Sequence, residues 1–192
     1  MDDLLKNSAR ANLNKYVYLF WTAFIISAGL LTFEYSATKR TGLAARYQNL
    51  LGAKKAGLWL AENADPSAKI SLGFVGAIPY YSHLNTVDIW GITNKEIAHQ
   101  PFNKTTTLGP GHFKHNAGSV LGEEPDIIIF NGCTIAVPDE IAKPQNPAER
   151  ELYEHPLFSS RYRHECVQLG KDCYFRFYIN KGRADKVIPP PR

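Results

Sequence analysis

The sequence predicts one membrane-spanning helix near the N-terminus, followed by a single α/β domain that closes with an antiparallel hairpin. Three observations predict this arrangement: an uncharged apolar run at residues 16–33, alternating short strands and helices over residues 43–130, and two β-rich segments on either side of Gly170. The predicted parts are an N-terminal tail at 1–15, a transmembrane helix at 16–36 and an α/β domain at 42–188. The roughly 150 residues beyond the apolar run suffice for one domain with a full core.

The apolar run reads YVYLFWTAFIISAGLLTF, which is 18 residues without a charge. At about 1.5 Å per residue it spans about 27 Å, close to the thickness of a hydrocarbon core. Aromatic rings, which favour interfacial depths, occur at both ends: Tyr16, Tyr18, Trp21, Phe33 and Tyr35. A cleaved signal peptide and a buried core helix are the alternative interpretations. The run is longer than a usual signal segment and uncharged on every face, which favours a membrane span.

Charge does not orient this span. The basic residues on its two sides are equal in number: Lys6, Arg10 and Lys15 before it, and Lys39, Arg40 and Arg46 after it. The formal net charge of +4 comes from scattered Lys and Arg rather than a patch. This distribution argues against a nucleic-acid partner and leaves the lipid bilayer as the first predicted partner.

Cysteine usage offers an orientation. Cys166 and Cys173 fall on predicted strands at 164–169 and 173–180, while Cys133 stands alone. If Leu169 and Gly170 form a two-residue turn, Cys166 lies directly opposite Cys173, within disulfide range. Two reduced cysteines are the alternative. The predicted disulfide would place the domain outside the cytoplasm, so we expect a single-pass protein of the inner (cytoplasmic) membrane, with a cytoplasmic N-terminus and a periplasmic or other extracytoplasmic domain.

The elements of the domain follow in order. A helix at 43–63 ends before Pro66, because the residue preceding a proline leaves the α region. A strand at 69–75, a turn and short helix at 76–82, a strand at 86–90 and a short helix at 94–99 come next, with Thr93 as the expected N-cap. A loop rich in Gly, Thr and His at 102–116 precedes a helix at 118–124.

The third predicted strand, DIIIF at 126–130, is a continuous apolar run typical of a parallel sheet covered on both faces. Residues 137–160 are broken by prolines and predict loops and short helices, and the cysteine-bearing hairpin follows them. Strands alternating with helices predict a small Rossmann-like α/β domain with an added antiparallel hairpin. In such sheets the loops after the strands form the ligand crevice.

Several side chains in those loops are candidate ligands. Asp88 ends the second strand and would either bind a sugar hydroxyl or cap the next loop by accepting backbone N–H groups. His112 and Lys114, in the glycine-rich loop 109–114, would contact a lipid phosphate or a glycan together with Asp88. The alternatives are a solvated loop and an ion pair between Asp88 and Lys114 that shapes the crevice. Tyr80 and Tyr81 would stack on a sugar ring, or be simply one buried and one exposed ring.

Catalytic signatures are missing from the sequence. It contains no G-x-S-x-G motif, no phosphate loop and no Cys/His pair in a catalytic context, so we predict no catalytic residue. The histidines and cysteines lack metal-ligand spacing, so we predict no metal and no cofactor. The loop after the second strand also brings Thr93 to the crevice, so Thr93 is a further candidate ligand residue.

Five motifs occur in a fixed order: AGLWLAEN at 56–63, GAIPYYS at 76–82, DIWGITNKEIAH at 88–99, GHFK at 111–114 and EEPDIIIFN at 123–131. Their order and spacing resemble the C-terminal soluble domain, with the last transmembrane helix, of bacterial C-type membrane glycosyltransferases of the arabinofuranosyltransferase-like group. That group typically reads GxWL, GxIPYYS, DLLGLTDxxIA, GHEK and a PDVIV strand. Asn94 stands where the group has Asp, and Phe113 replaces the Glu of GHEK.

The departures from the group decide what the resemblance implies. Its enzymes have many transmembrane helices, and an acidic residue in an early extracytoplasmic loop performs the transfer; this chain has one predicted span and lacks that loop, and no hairpin of the group matches Cys166 and Cys173. The resemblance therefore implies a membrane-anchored accessory domain that binds a glycan or a polyprenyl-phosphate sugar, with Asn94 among its ligand residues. The alternatives are a fragment or subunit of a split glycosyltransferase with a multi-span membrane partner, and a structural subunit of a cell-envelope complex.

Overall fold

The computed structural model of the chain describes residues 2–101, 112, 114–131, 133–135, 137 and 141–187. The chain forms two compact units, Met1–Tyr47 and Gln48–Arg192. Its first element is α1, an α-helix over Asp2–Asn63. The other helices are α2 (Ala77–Ser82), α3 (Lys95–Ala98), α4 (Ala117–Gly122), α5 (Pro147–Glu154) and α6 (Pro156–Arg161). The strands are β1 (Lys69–Leu72), β2 (Asn85–Asp88), β3 (Ile127–Ile129), β4 (Thr134–Ile135), β5 (Tyr162–Gly170) and β6 (Cys173–Asn180), and a 3-10 helix over Lys181–Lys186 follows β6.

The first unit contains a candidate membrane span at Lys15–Glu34. This segment is 20 residues long, has a mean hydropathy of 1.7 and is not buried by the rest of the chain. Two of its hydroxyls are satisfied within the helix, since Thr22 donates to the Tyr18 carbonyl and Thr32 to the Gly29 carbonyl. The exposure of the segment argues against a buried core helix. Its length, composition and position near the N-terminus fit a membrane span and also fit a signal sequence.

The second unit is built on one mixed sheet. The parallel strands stand in the order β2-β1-β3, and β3 pairs with the antiparallel β6. The short β4 continues along the same side of β6 as β3, and β5 pairs with its other side. The prediction that the first three strands share one sheet, with their C-terminal ends at one edge, is confirmed. The strands end earlier than predicted, at Leu72, Asp88 and Ile129.

Two apolar cores lie on the two faces of this sheet. Ile127 and Ile129 of β3 belong to a core that includes Leu60 of α1 and Ile78 of α2. Ile128 belongs to a second core that helices α3, α4, α5 and α6 supply with Ile97, Leu121, Leu152 and Phe158. The apolar run of β3 is therefore buried on both sides, as its sequence predicts.

The ends of the short helices are set by side-chain caps. Asn94, not Thr93, caps α3: its side-chain oxygen accepts from the N–H groups of Glu96 and Ile97, so the expected cap is wrong by one residue. The proline-broken region from 137 to 160 contains α5 and α6, and each has a proline in its first turn. Proline is suited to that position because its missing N–H would have no helical partner there.

The hairpin register differs from the prediction. The turn is Lys171-Asp172 instead of Leu169-Gly170, because Gly170 lies opposite Cys173 and Cys166 lies opposite Arg176. A three-residue offset along β6 corresponds to about 10 Å, which exceeds the Cα separation that a disulfide bridges. The offset also puts Cys166 and Cys173 on opposite faces, since side chains alternate along a strand. The prediction of directly opposed cysteines is wrong, and Cys166 and Cys173 are free thiols.

The register predicts the outcome of oxidative crosslinking of the full chain. After mild oxidation, peptide mapping without reduction should recover Cys166 and Cys173 as unlinked peptides. A double variant, Gln168→Cys with Tyr174→Cys, in a background with both native hairpin cysteines changed to Ser, should crosslink because residues 168 and 174 are directly paired. A Cys166–Cys173 bond in the native protein would contradict the observed register.

Candidate functional site

The C-terminal edge of the parallel strands is where the sequence places its ligand candidates. Leu72, Asp88 and Ile129 end β1, β2 and β3 at this edge, and the loops that follow them carry most of the residues in question. Gly73, the residue directly after β1, lies against the indole of Trp90. A Cβ added at Gly73 would lie 2.7 Å from the Trp90 Nε1 atom. The loops after β1 and β2 therefore pack directly on each other.

Asp88 is buried, with 1% of its surface exposed. Its Oδ1 accepts from the Trp90 N–H at 2.8 Å, and its Oδ2 accepts from the Thr93 N–H at 2.7 Å and from the Thr93 hydroxyl at 3.3 Å. Asp88 thus holds the loop after β2 in place, which is the structural one of its two expected roles. Thr93 serves the same loop, and its hydroxyl points to Asp88.

Lys114 and Asn94 are likewise engaged by neighbouring elements. The Lys114 ammonium donates to the Ala98 carbonyl at the end of α3, and no ion pair joins it to Asp88 among the described residues. Asn94 caps α3 with its oxygen and donates from Nδ2 to Glu123 at 3.0 Å. The expected ion pair between Asp88 and Lys114 is therefore not formed, and residues 109–111 and 113 of the predicted loop lie outside the described residues.

His112 lies beside Asp88's loop because it packs on Trp90, with the ring centroids 4.9 Å apart and the rings nearly perpendicular. The His115 ring also lies edge to face with this indole, with ring centroids 6.0 Å apart. Nδ1 of His115 pairs with the Glu151 carboxylate, whose other oxygen accepts from the Ala117 N–H at 3.1 Å. A carboxylate that fixes an imidazole in this way orients the ring and sets its tautomer.

The participation of Trp90, His115 and Glu151 is not apparent from the sequence. From the sequence, we interpret His115 as an ordinary surface or core residue, and Glu151 lies 36 residues further along the chain. Only the packing of α5 beside α4 joins them, and no short motif marks that contact.

Tyr80 and Tyr81 form the most open part of the site. Tyr80 is 71% exposed, and its ring meets Tyr81 edge to face with centroids 5.0 Å apart. The Lys54 ammonium lies 5.2 Å from the centre of the Tyr81 ring. Gly57 allows this close packing of α1 on α2, since an added Cβ there would lie 2.8 Å from the Tyr81 Cβ. We call Lys54, Tyr80 and Tyr81 the tyrosine surface.

The loop after β3 is held by Glu149, which is fully buried. Its two oxygens accept from the N–H groups of Asn131 at 2.6 Å and Gln145 at 2.7 Å. Burial raises the pKa of Glu149, and these hydrogen bonds act in the opposite direction. Burial also raises the pKa of the nearby Cys133 thiol to about 12, so this cysteine stays protonated near neutral pH and is a poor nucleophile.

The comparisons with known proteins place the domain in a family. A domain of unknown function, DUF8728, matches residues 39–178. The chain belongs to this family. No curated protein and no solved structure matches the chain. The DUF8728 match includes all the site residues discussed above, from Lys54 to Glu151, and it has no link to glycosyltransferases, so that resemblance stays a prediction.

The role of Asp88 in this DUF8728 domain is testable by Asp88→Asn. An amide offers one acceptor where the carboxylate uses two, so one buried N–H loses its partner and the free energy of unfolding should fall by about 1–3 kcal/mol. Urea unfolding of the full chain in detergent micelles measures it. Asp172→Asn, an exposed change in the hairpin turn, is the control and should be near neutral. Unchanged stability of Asp88→Asn would show that the carboxylate does not hold the loop.

Proposed function

We propose that this chain is a membrane-anchored accessory domain that binds a glycan or a lipid-linked sugar and has no catalytic core of its own. The observation that carries the proposal is the tyrosine surface, where the exposed Tyr80 ring meets the half-buried Tyr81 ring, which lies beside the Lys54 cation. An aromatic ring with a hydroxyl offers an apolar face and a polar tip, which suits a sugar ring. The Lys54 ammonium adds a point charge of the kind that binds phosphate.

The other polar side chains of the site are already engaged within the domain, which favours binding over catalysis. Asp88, Lys114, Asn94 and Glu149 hold backbone or side-chain groups of the domain itself. The resemblance also implies that the catalytic carboxylate of the group lies in an early extracytoplasmic loop, outside the part of the group that the motifs cover. A binding role needs only the exposed Tyr80 ring and the adjoining Tyr81 ring with its cation.

The strand order favours a ligand at this edge. The chain passes from β1 to β2 on one side and returns to β3 on the other, giving the order β2-β1-β3. Doubly wound sheets bind ligands at the C-terminal ends of strands where the order reverses in this way. We therefore propose a Rossmann-like arrangement with the ligand near the loop after β1, which leads into α2 and Tyr80.

The proposed location is the inner (cytoplasmic) membrane, with the domain on the extracytoplasmic side. The apolar segment Lys15–Glu34 supports the anchor. The hairpin cysteines no longer support the orientation, because they are free and do not require an oxidising compartment.

Membrane anchoring predicts the result of alkaline carbonate extraction. The full-length chain should stay in the membrane pellet, because burial of the uncharged span in lipid is not reversed by high pH. Intact-mass measurement should find residues 1–36 still attached, which separates an anchor from a signal sequence. Recovery of the chain in the supernatant, or of a product lacking the segment, would contradict the proposal.

Glycan binding predicts the effect of Tyr80→Ala. Loss of the exposed ring should weaken binding of a polyprenyl-phosphate-linked sugar, or of array glycans, by about tenfold, with little change in melting temperature because the ring is mostly outside the core. Leu157→Ala, which removes an exposed apolar side chain from α6, is the control and should leave binding unchanged. If the wild-type chain bound none of these sugars, the proposal would fail.

A second candidate function is a subunit that docks onto a multi-span membrane protein. Phe74 and Ile92, in the loops after β1 and β2, are 66% and 60% exposed. Exposed apolar side chains in neighbouring loops are a feature of protein contact sites. Loss of a co-purifying multi-span protein in Phe74→Ala, together with no sugar binding by the wild-type chain, would favour this role over the glycan site.

A further inference from the structure

A groove opens at the opposite edge of the sheet, where the parallel strands begin. Asn180 ends β6 at this edge, since its N–H donates to the Asp126 carbonyl just before β3. The groove has a volume of about 390 Å³, near the lower end of the range for small-molecule sites. The end of α6, the end of β6 and the start of the 3-10 helix line it together with Glu124. Its volume suits a small ligand.

The groove carries an excess of positive charge. Arg161, Lys181 and Arg183 line it against one carboxylate, Glu124. The buried Asp126 lies next to the groove, and its negative charge is already compensated. Its Oδ2 accepts from the Lys69 N–H at 2.7 Å. The cations of Arg183 and Lys186 lie 3.5 and 3.6 Å from its oxygens. Asp126 therefore adds no unmatched negative charge to the groove.

The three lining cations are not equally available. Lys181 donates to the carbonyls of Ser159 and Ser160, and Arg183 pairs with both Glu124 and Asp126. Arg161 lies 3.9 Å from a Glu124 oxygen, beyond hydrogen-bond distance, and its side chain is 40% exposed. Its guanidinium, which has five N–H donors, makes no hydrogen bond to any other residue in the described part of the chain.

We propose that this groove binds a small soluble phosphomonoester, with Arg161 as its main ligand. A phosphomonoester carries close to two negative charges at neutral pH, which matches the excess positive charge of the groove lining. The planar guanidinium binds two phosphate oxygens at once, while Lys181 and Arg183 add positive charge around it. Glu124 competes with the phosphate for Arg161. This site is independent of the glycan site at the other edge.

Titration calorimetry of the full chain in nonionic micelles, at fixed ionic strength, tests the proposal with inorganic phosphate and glucose 1-phosphate. Both should bind, and glucose should not. Arg161→Gln should weaken phosphate binding about tenfold, the loss of one charge-assisted interaction. Glu124→Gln should strengthen it by removing the competing carboxylate. Lys171→Gln removes the same charge from the exposed hairpin turn, at the other end of β5 and β6, and should have no effect.

Two results would overturn the proposal. The first is that neither inorganic phosphate nor glucose 1-phosphate binds at millimolar concentration. The second is equal weakening by Lys171→Gln and Arg161→Gln, which would mean that phosphate responds only to net charge. If Arg161→Gln did not fold, Glu124→Gln would still decide, because unchanged or weaker binding in that variant contradicts competition at Arg161.

Discussion

Phe175, Phe177 and Ile179 project from β6 into one core, while Tyr178 projects from the same strand into the other. This strand pairs with β3, β4 and β5, so it joins the parallel half of the sheet to the hairpin. Its register is the constraint on which both cores depend, because a slip of one residue would exchange the faces of all its side chains. The same register separates Cys166 from Cys173 and brings Asn180 to the edge where the groove around Arg161 lies.

Buried carboxylates then fix the loops that this sheet displays. Asp88 holds the loop after β2, Glu149 holds the loop after β3, and Asp126 joins the start of β1 to the cations after β6. Burying a charge is costly unless hydrogen bonds or opposite charges compensate it, and each of the three has such partners. These three buried carboxylates are therefore structural, and they position neighbouring side chains without being exposed to a ligand.

The chemistry left for ligands is correspondingly simple. Among the described residues, the C-terminal edge offers the tyrosine surface and His112, which packs edge to face on Trp90. The other edge offers Arg161 and the cations around it. Both sets suit binding, since aromatic rings and guanidinium groups recognise ligands through stacking and hydrogen bonds without chemical reaction. The two edges are served by different elements, so each is open to separate test by substitution.

The sequence by itself determined the apolar segment, the α/β class and the parallel strands, because these depend on local hydrophobic periodicity and on glycine and proline positions. It also placed Asp88 at the end of a strand and the two tyrosines in the loop region after β1. Only the tertiary structure decided the hairpin register, the contact of His115 with Glu151 and the groove around Arg161. These features depend on where elements distant in sequence come to lie, and a side chain's partner across that distance leaves no periodic signal in the chain.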